Sequence, residues 1–380
     1  MRVLNITADY PDRFEPNKTL AVKLLLEGSS HTHYIYSINR TSNIFKSAFS
    51  GSDKLFAFRY FSLPLGFFLR VSLRILAKKI VKHIKKNNIQ LDVIVAHKFT
   101  VEGILADYVS RELAVPYCLS LWGSTDRKFL TLKPELLCLY KGIYKRSKAV
   151  FPASPWILEY VESKLLISHK NVKLLPIVTE NIKYHYSEKC KVINFVTIFN
   201  LDIYQLKGLP LLLESLASMN HFNWTLDIIG GGSEISITKV RCLIKKFNLN
   251  SRVFLKGKID NTKITQILSG YHSFLMPTTS ETYGMVYLEA LYANIPILYS
   301  KKQGIDGYFN DLDFGVRVDP KSTEEIINGI EYLIKNRKII IQNIRSSHDI
   351  GFFKSFEKKC IVAGFDETLK GITNVKENIT

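Results

Sequence analysis

Two glutamates eight positions apart, Glu281 and Glu289, flank one glycine, Gly284, in the stretch "SETYGMVYLEALYANIPI". The apolar run "SFLMP" precedes them and a helix-like run follows. The pattern predicts a strand, a loop and a helix opening at Gly284. The amides of Gly284, Met285 and Val286 then have no acceptor within the helix and offer an anion site, aided by the helix dipole. Glu281 falls ahead of this helix and Glu289 about two turns later. A carboxylate accepts two hydrogen bonds side by side, which suits the vicinal hydroxyls of a ribose or hexose. A surface loop followed by a helix salt bridge fits the same spacing. A second stretch, "FVTIFNLDIYQLKGLPLLLESLA" (195–217), puts Lys207-Gly208 at a strand–loop–helix junction, where an ammonium can meet a phosphate as a point charge. A solvated surface lysine is the alternative there. A third, "DIIGGGSE" (227–234), lets backbone approach a ligand closely at Gly231, but lacks the rest of a dinucleotide fingerprint.

The elements that must position these residues alternate. Apolar β-rich runs such as "RVLNI", "DVIVA" and "PYCLSL", then "INFVTI", "WTLDIIG" and "IPILYS", are separated by helical stretches near 19–27, 67–86, 101–113, 209–218, 235–247, 284–292 and 322–335. Strands covered on both faces and joined by helices predict parallel sheets with right-handed crossovers. At 380 residues the chain is long enough for two such domains. The expected division is 1–183 and 184–351, joined in "YHYSEKCK" (184–191), with a last helix in about 352–380 crossing back onto the first domain. Ligands are expected at strand C-terminal ends, in a cleft. His97 ends "DVIVA", a place suited to a cleft residue or to a structural histidine. His31 and His33 read as structural.

The net charge is +18, and it is uneven: residues 1–180 hold 27 Lys/Arg against 14 Asp/Glu, and the rest hold 25 against 20. A basic half implies an anionic partner. The segment 65–89 carries Arg70, Arg74, Lys78, Lys82 and Lys86 at every fourth position, with Phe68, Val71, Ile75, Ile80 and Ile84 as the expected apolar face. Such a helix suits an anionic membrane surface, or is an ordinary helix with a solvated side. Nucleic acid is not expected as a partner, because the ridge lacks interleaved aromatics and any reading motif. The five cysteines show no metal-ligand or redox spacing, which points to reduced thiols. No signal-peptide pattern opens the chain, and "FSLPLGFFL" is far short of the roughly 20 residues that span a bilayer. A cytoplasmic protein, peripheral at the inner face of the membrane, is expected.

Taken together, "NLDIYQLKG", the glycine turn at 230–232, "SRVFLKGKIDNTKITQIL", "SETYGMVYLEALYANIPIL" and "KKQGIDGYF" resemble the retaining glycosyltransferases of family 4, of the bacterial surface-polysaccharide type. The Glu-x7-Glu motif is the most specific part, and the match runs from about Asn194 to Lys335. The resemblance implies an α/β protein of GT-B fold, with two doubly wound Rossmann-like domains. It implies transfer of a hexose-type sugar from a nucleotide diphosphate sugar to a glycan or polyprenol-linked acceptor, with no metal or other cofactor. Glu281 would bind donor-sugar hydroxyls, Glu289 the ribose, and Lys207 with the amides at 284–286 the diphosphate; Tyr283 and Gly231 complete the donor side. A weaker match in "VIVAHKFTVEGILADYVSRELAVPYCLSLWGSTD" implies an acceptor-side cleft at His97, Trp122, Gly123 and Asp126. The chain departs from the family pattern in three places. It has Trp122-Gly123 in place of His-Gly, no arginine upstream of Lys207, and no glycine in "DYPDRFEPNKT". A same-fold nucleotide-sugar epimerase or hydrolase, and a nucleotide-sugar-binding protein without turnover, are the alternatives.

Overall fold

The apolar runs become two sheets in a computed structural model that describes residues 1–63, 66–179, 183–185 and 193–377. The strands are β1 (Arg2–Thr7), β2 (Thr32–Thr41), β3 (Ala48–Ser52), β4 (Leu55–Phe61), β5 (Val93–Ala96), β6 (Tyr117–Leu121), β7 (Val150–Pro152), β8 (Ile193–Ile198), β9 (Trp224–Ile229), β10 (Val253–Gly257), β11 (Ser273–Leu275), β12 (Ile297–Ser300) and β13 (Gly315–Val318). The helices are α1 (Ala21–Gly28), α2 (Leu69–Lys86), α3 (Glu102–Leu113), α4 (Ser124–Leu132), α5 (Leu137–Arg146), α6 (Pro155–Leu165), α7 (Leu209–Ser218), α8 (Glu234–Lys246), α9 (Ile264–Leu268), α10 (Met285–Tyr292), α11 (Thr323–Asp349) and α12 (Lys358–Glu377). The chain divides into two units, Met1–Glu180 with Ser355–Thr380, and Asn181–Lys354. Residues 186–191 of the expected join, and 378–380 of the expected terminal helix, lie outside the described residues.

The first unit's sheet runs β3-β4-β2-β1-β5-β6-β7, parallel except for β3, which pairs antiparallel with β4 at the edge. The second unit's sheet runs β10-β9-β8-β11-β12-β13 and is parallel throughout. Chain order reverses between β1 and β5 in one sheet and between β8 and β11 in the other. These are the doubly wound layouts that the alternation predicts, and the loops leaving the two reversal points are where such sheets bind ligands. The strand interiors are apolar on both faces because helices cover both: Val93, Ile94, Val95 and Ala96 of β5 are all fully buried. In the second unit Trp224 is fully buried, and its indole N–H donates to the Met219 carbonyl at 3.0 Å.

Two features depart from expectation. The hairpin β3–β4 was not visible as strands, since β3 reads "AFSGS" and sits exposed at an edge. The buried stripe of α2 is Leu69, Leu73, Leu76, Ala77, Ile80 and Ile84; of the expected apolar face, Ile80 and Ile84 belong to it and Phe68, Val71 and Ile75 do not. The true stripe follows the i, i+4, i+7 spacing that starts at Leu69. Phe68, Val71 and Ile75 therefore point outward, 72%, 54% and 53% exposed, beside the basic residues. Among the described residues no helix is long and apolar enough to cross a membrane. Cys118, Cys138, Cys242 and Cys360 are free thiols.

Candidate functional site

The loops leaving β8 and β11 meet at the reversal point of the second sheet. The β8 loop ends in Lys207-Gly208, and Gly208 has φ +74°. A Cβ there would stand 1.9 Å from the Pro277 carbonyl oxygen, so only glycine lets the two loops touch. The contact is fixed at the Leu206 carbonyl. It accepts from the Thr279 amide at 2.8 Å, the Thr278 hydroxyl at 2.9 Å and the Thr279 hydroxyl at 3.1 Å. The next residue, Lys207, thereby points its ammonium at Glu281. Nζ donates to Oε2 at 2.5 Å, and the two side chains are only 13% and 15% exposed. Glu281 is held in turn by the Thr282 amide on its Oε1 (2.9 Å), while its own amide donates to Gln303 Oε1 (2.9 Å). Gln303 was not singled out from sequence. It is buried and lies on the loop after β12, too far along the chain for spacing to reveal it.

Gly284, at φ +77°, then starts α10 without a side-chain cap. The Tyr287 amide returns to the Gly284 carbonyl at 3.0 Å. Among the described residues the amides of Gly284, Met285 and Val286 have no acceptor. Met285 is exposed and Val286 partly so, which leaves this end of the helix open. Glu289, on the second turn, is half-buried, and among the described residues its carboxyl has no hydrogen-bond or ion-pair partner. Burial without compensation pushes its carboxyl up to about 7. Tyr283 differs from expectation. Its side chain is fully buried and its ring meets Tyr308 edge-on at 6.0 Å, so it supports the loop from beneath and presents no hydroxyl outward.

The glycine turn after β9 packs on the β8 loop. A Cβ on Gly232 would meet Leu201 Cβ at 2.8 Å, and Asp202 accepts from the Ser233 amide (2.9 Å) and hydroxyl (2.6 Å). Gly231 is less constrained, with only Lys258 Cβ at 3.7 Å from where its own Cβ would be. Lys258 is exposed and follows β10, so the same edge carries a second cation that the sequence did not mark.

In the first unit the reversal point is built differently from expectation. His97 is fully buried. Its Nε2 lies 3.1 Å from Asn5 Oδ1, and Asn5 Nδ2 lies 3.0 Å from His33 Nδ1. Burial, with His33 and Lys98 nearby, depresses its pKa to about 3, so it stays neutral. Asp126 is also fully buried and accepts from the Thr100 amide (3.0 Å), the Thr100 hydroxyl (2.9 Å) and the Trp122 amide (3.0 Å). Both side chains brace strand ends and present nothing to solvent. Gly123 provides the φ +91° turn that starts α4, and Trp122 packs on the apolar cluster beneath. The accessible charges here are Lys98 and Asp9, paired at 2.5 Å, above a buried Glu102 whose Oε1 accepts from the Ala8 amide. Among the described residues Glu102 Oε2 has no hydrogen-bond partner, and burial pushes this carboxyl up to about 7 against the nearby Lys98 ammonium. Sequence offered "HKFTVEG" but no spacing that separates Glu102 from a helix-surface glutamate. Among the described residues no three His, Cys, Asp or Glu side chains group as a metal site.

A stability consequence follows from Glu289 and Glu102. Both carboxyls titrate near 7 when folded, against an ordinary 4.5. Through that window the folded chain holds protons that the unfolded chain has released. Stability therefore falls as pH rises through the window and levels off above it. Glu289→Gln and Glu102→Gln are each expected to flatten part of the slope in unfolding midpoint across the window at constant ionic strength. Slopes unchanged in both variants would show these groups to be solvated.

Residues 186–347 match the family model described as glycosyl transferases group 1. The uncharacterized glycosyltransferase MJ1178 of Methanocaldococcus jannaschii is 23% identical over 299 residues, covering 78% of this chain and 80% of that protein. The lipopolysaccharide outer core galactosyltransferase WaaB superposes with a TM-score of 0.69 at 16% identity, over 98% of this chain and 99% of that one. Anabaena Alr3699/HepE in complex with UDP superposes with a TM-score of 0.70 at 15% identity, over 97% and 99%. The fold is GT-B, and what these likenesses support is a group 1 glycosyltransferase.

Proposed function

We propose that the chain is a retaining hexosyltransferase. It moves a sugar from a nucleotide diphosphate sugar to a glycan or polyprenol-linked acceptor, in cell-surface polysaccharide synthesis at the cytoplasmic face of a membrane. One observation carries this reading: a half-buried Glu289 whose carboxyl has no partner among the described residues, on a helix whose opening amides have no acceptor among them, in the same unit as the Lys207–Glu281 pair. The unpartnered carboxylate suits a ribose diol, and the amides with the ammonium suit a diphosphate. The UDP named in the HepE structure and the lipopolysaccharide galactosyl transfer named for WaaB lend support.

In the reaction the acceptor oxygen bonds to the anomeric carbon, the bond from that carbon to the diphosphate oxygen breaks, and the acceptor proton passes to the departing diphosphate. Lys207 leaves its pairing with Glu281 to meet the growing negative charge, and Glu281 turns to the sugar hydroxyls. Lys258 takes the place of the absent arginine. Positive charge placed in advance where negative charge develops is worth most in such a partly dry site. No metal or other cofactor enters this reading.

Calorimetry with a nucleoside diphosphate tests the division of roles. Glu289→Ala is expected to weaken binding about 10- to 150-fold, the value of losing hydrogen bonds to a charged group. Glu281→Ala is expected to change free-nucleotide binding little and turnover strongly. Equal loss of affinity in both variants would contradict it.

A further inference from the structure

In the first unit, far along the sheet from its reversal point, the β3–β4 hairpin and α2 enclose a groove of about 610 Å³. That size lies within the range of about 300–1,000 Å³ usual for small-molecule sites. Its walls are apolar, from Phe49, Phe58, Ile75 and Leu76, and its rim is basic, with Lys79, Lys82 and Lys86. Among the described residues no acidic side chain lines it. Among the described residues these three lysines have no ion pair.

The wall is built rather than accidental. The Phe49 ring lies 4.8 Å from Phe58 and 5.2 Å from His83, and His83 Nδ1 is 2.9 Å from the Tyr36 hydroxyl. Two apolar side chains of the hairpin side stay in water: Ile44, which lines the groove, is 59% exposed, and its chain neighbour Phe45 is 94% exposed. An apolar slot with cations on one rim and exposed apolar groups on its hairpin side is complementary to an amphiphile with an anionic head. A second copy of this chain is a poor occupant, since a two-fold contact would bring the same lysines face to face.

We propose that this groove takes the hydrocarbon chain of a phosphate-bearing membrane lipid, with Lys79, Lys82 and Lys86 around the phosphate. The inference rests on the reading that α2 meets an anionic membrane, and it adds a slot to a surface that would otherwise act by charge alone. Arg70 and Arg74, which line a separate hollow, and Lys78 are exposed as well and would meet neighbouring headgroups.

The test is calorimetric titration of the whole protein with dodecyl phosphate below its micelle concentration, beside dodecyl maltoside and inorganic phosphate. Dodecyl phosphate is expected to bind one per chain and at least about tenfold more tightly than either control. Ser72→Trp, which fills the groove from the α2 side, is expected to weaken it at least about tenfold. Ala48→Phe fills it from the hairpin side should the first variant fail to fold. Lys79→Gln with Lys82→Gln is expected to cost about thirty-fold. Equal binding to wild type and both filled variants overturns the slot, as does inorganic phosphate binding as tightly as dodecyl phosphate, which would make it a free-phosphate site. Sedimentation with phosphatidylglycerol vesicles separates the two ideas. Dodecyl phosphate binding without sedimentation upholds the slot and removes the membrane reading. Salt-sensitive sedimentation without dodecyl phosphate binding upholds the membrane reading and overturns the slot.

Discussion

Replacing Lys207 by alanine is expected to lower kcat/KM for the donor by roughly 10²–10³-fold, the scale of removing one preorganised stabiliser of developing charge. The expectation follows from where the ammonium sits. It is 13% exposed and 2.5 Å from Glu281, in a loop whose preceding carbonyl is held by Thr278 and Thr279. Its removal takes a positive charge from the diphosphate and leaves Glu281 as an uncompensated anion beside it. Both effects oppose departure of a more highly charged leaving group, so kcat falls as well as affinity. Lys207→Arg is expected to recover only part of the loss, because a planar guanidinium does not reproduce the point charge of an ammonium in a confined contact. Steady-state kinetics on the three proteins decide it. Wild-type parameters in Lys207→Ala would make this lysine a surface residue.

Gly208→Ala is expected to cost at least about 2 kcal/mol, from backbone strain and overlap together. At φ +74° the added Cβ would stand 1.9 Å from the Pro277 carbonyl oxygen, a backbone atom that cannot swing aside. For a unit of this size the unfolding midpoint should drop by at least about 4 °C. Because the β8 and β11 loops must part, Lys207 and Glu281 separate, and nucleoside diphosphate binding weakens with stability. Gly231→Ala is the internal control, since its Cβ would meet only Lys258 Cβ at an ordinary 3.7 Å. A Gly208→Ala protein as stable as Gly231→Ala would show that the loops do not close as described.

The layout of the second unit was legible because its information is local. Each apolar run, each Gly-opened helix and the Lys-Gly junction is written within a few residues. The parallel order then brings Lys207 to Glu281 although 74 positions separate them. What could not be read depends on neighbours distant in sequence. Whether His97 and Asp126 face solvent is decided by Asn5, Thr100 and the Trp122 amide, and these partners absorb both side chains. The first half of α2 departs from the expected face because Val71 and Ile75 are as apolar as Leu73 and Leu76, whereas Ile80 and Ile84 are buried as expected. Only the position of the sheet selects which line is buried. The edge hairpin is not legible in the sequence because an exposed strand of Ala, Phe, Ser and Gly lacks the alternation that marks a half-buried one.

The most direct measurement is proton NMR of the reaction with α-linked nucleotide diphosphate hexoses and a sugar acceptor, following the anomeric signal as product first appears. Retention predicts release of nucleoside diphosphate together with an α-configured product, absent without acceptor and strongly reduced in Lys207→Ala. A β-configured first product, or donor that binds and returns unchanged with no nucleoside diphosphate released, would contradict it.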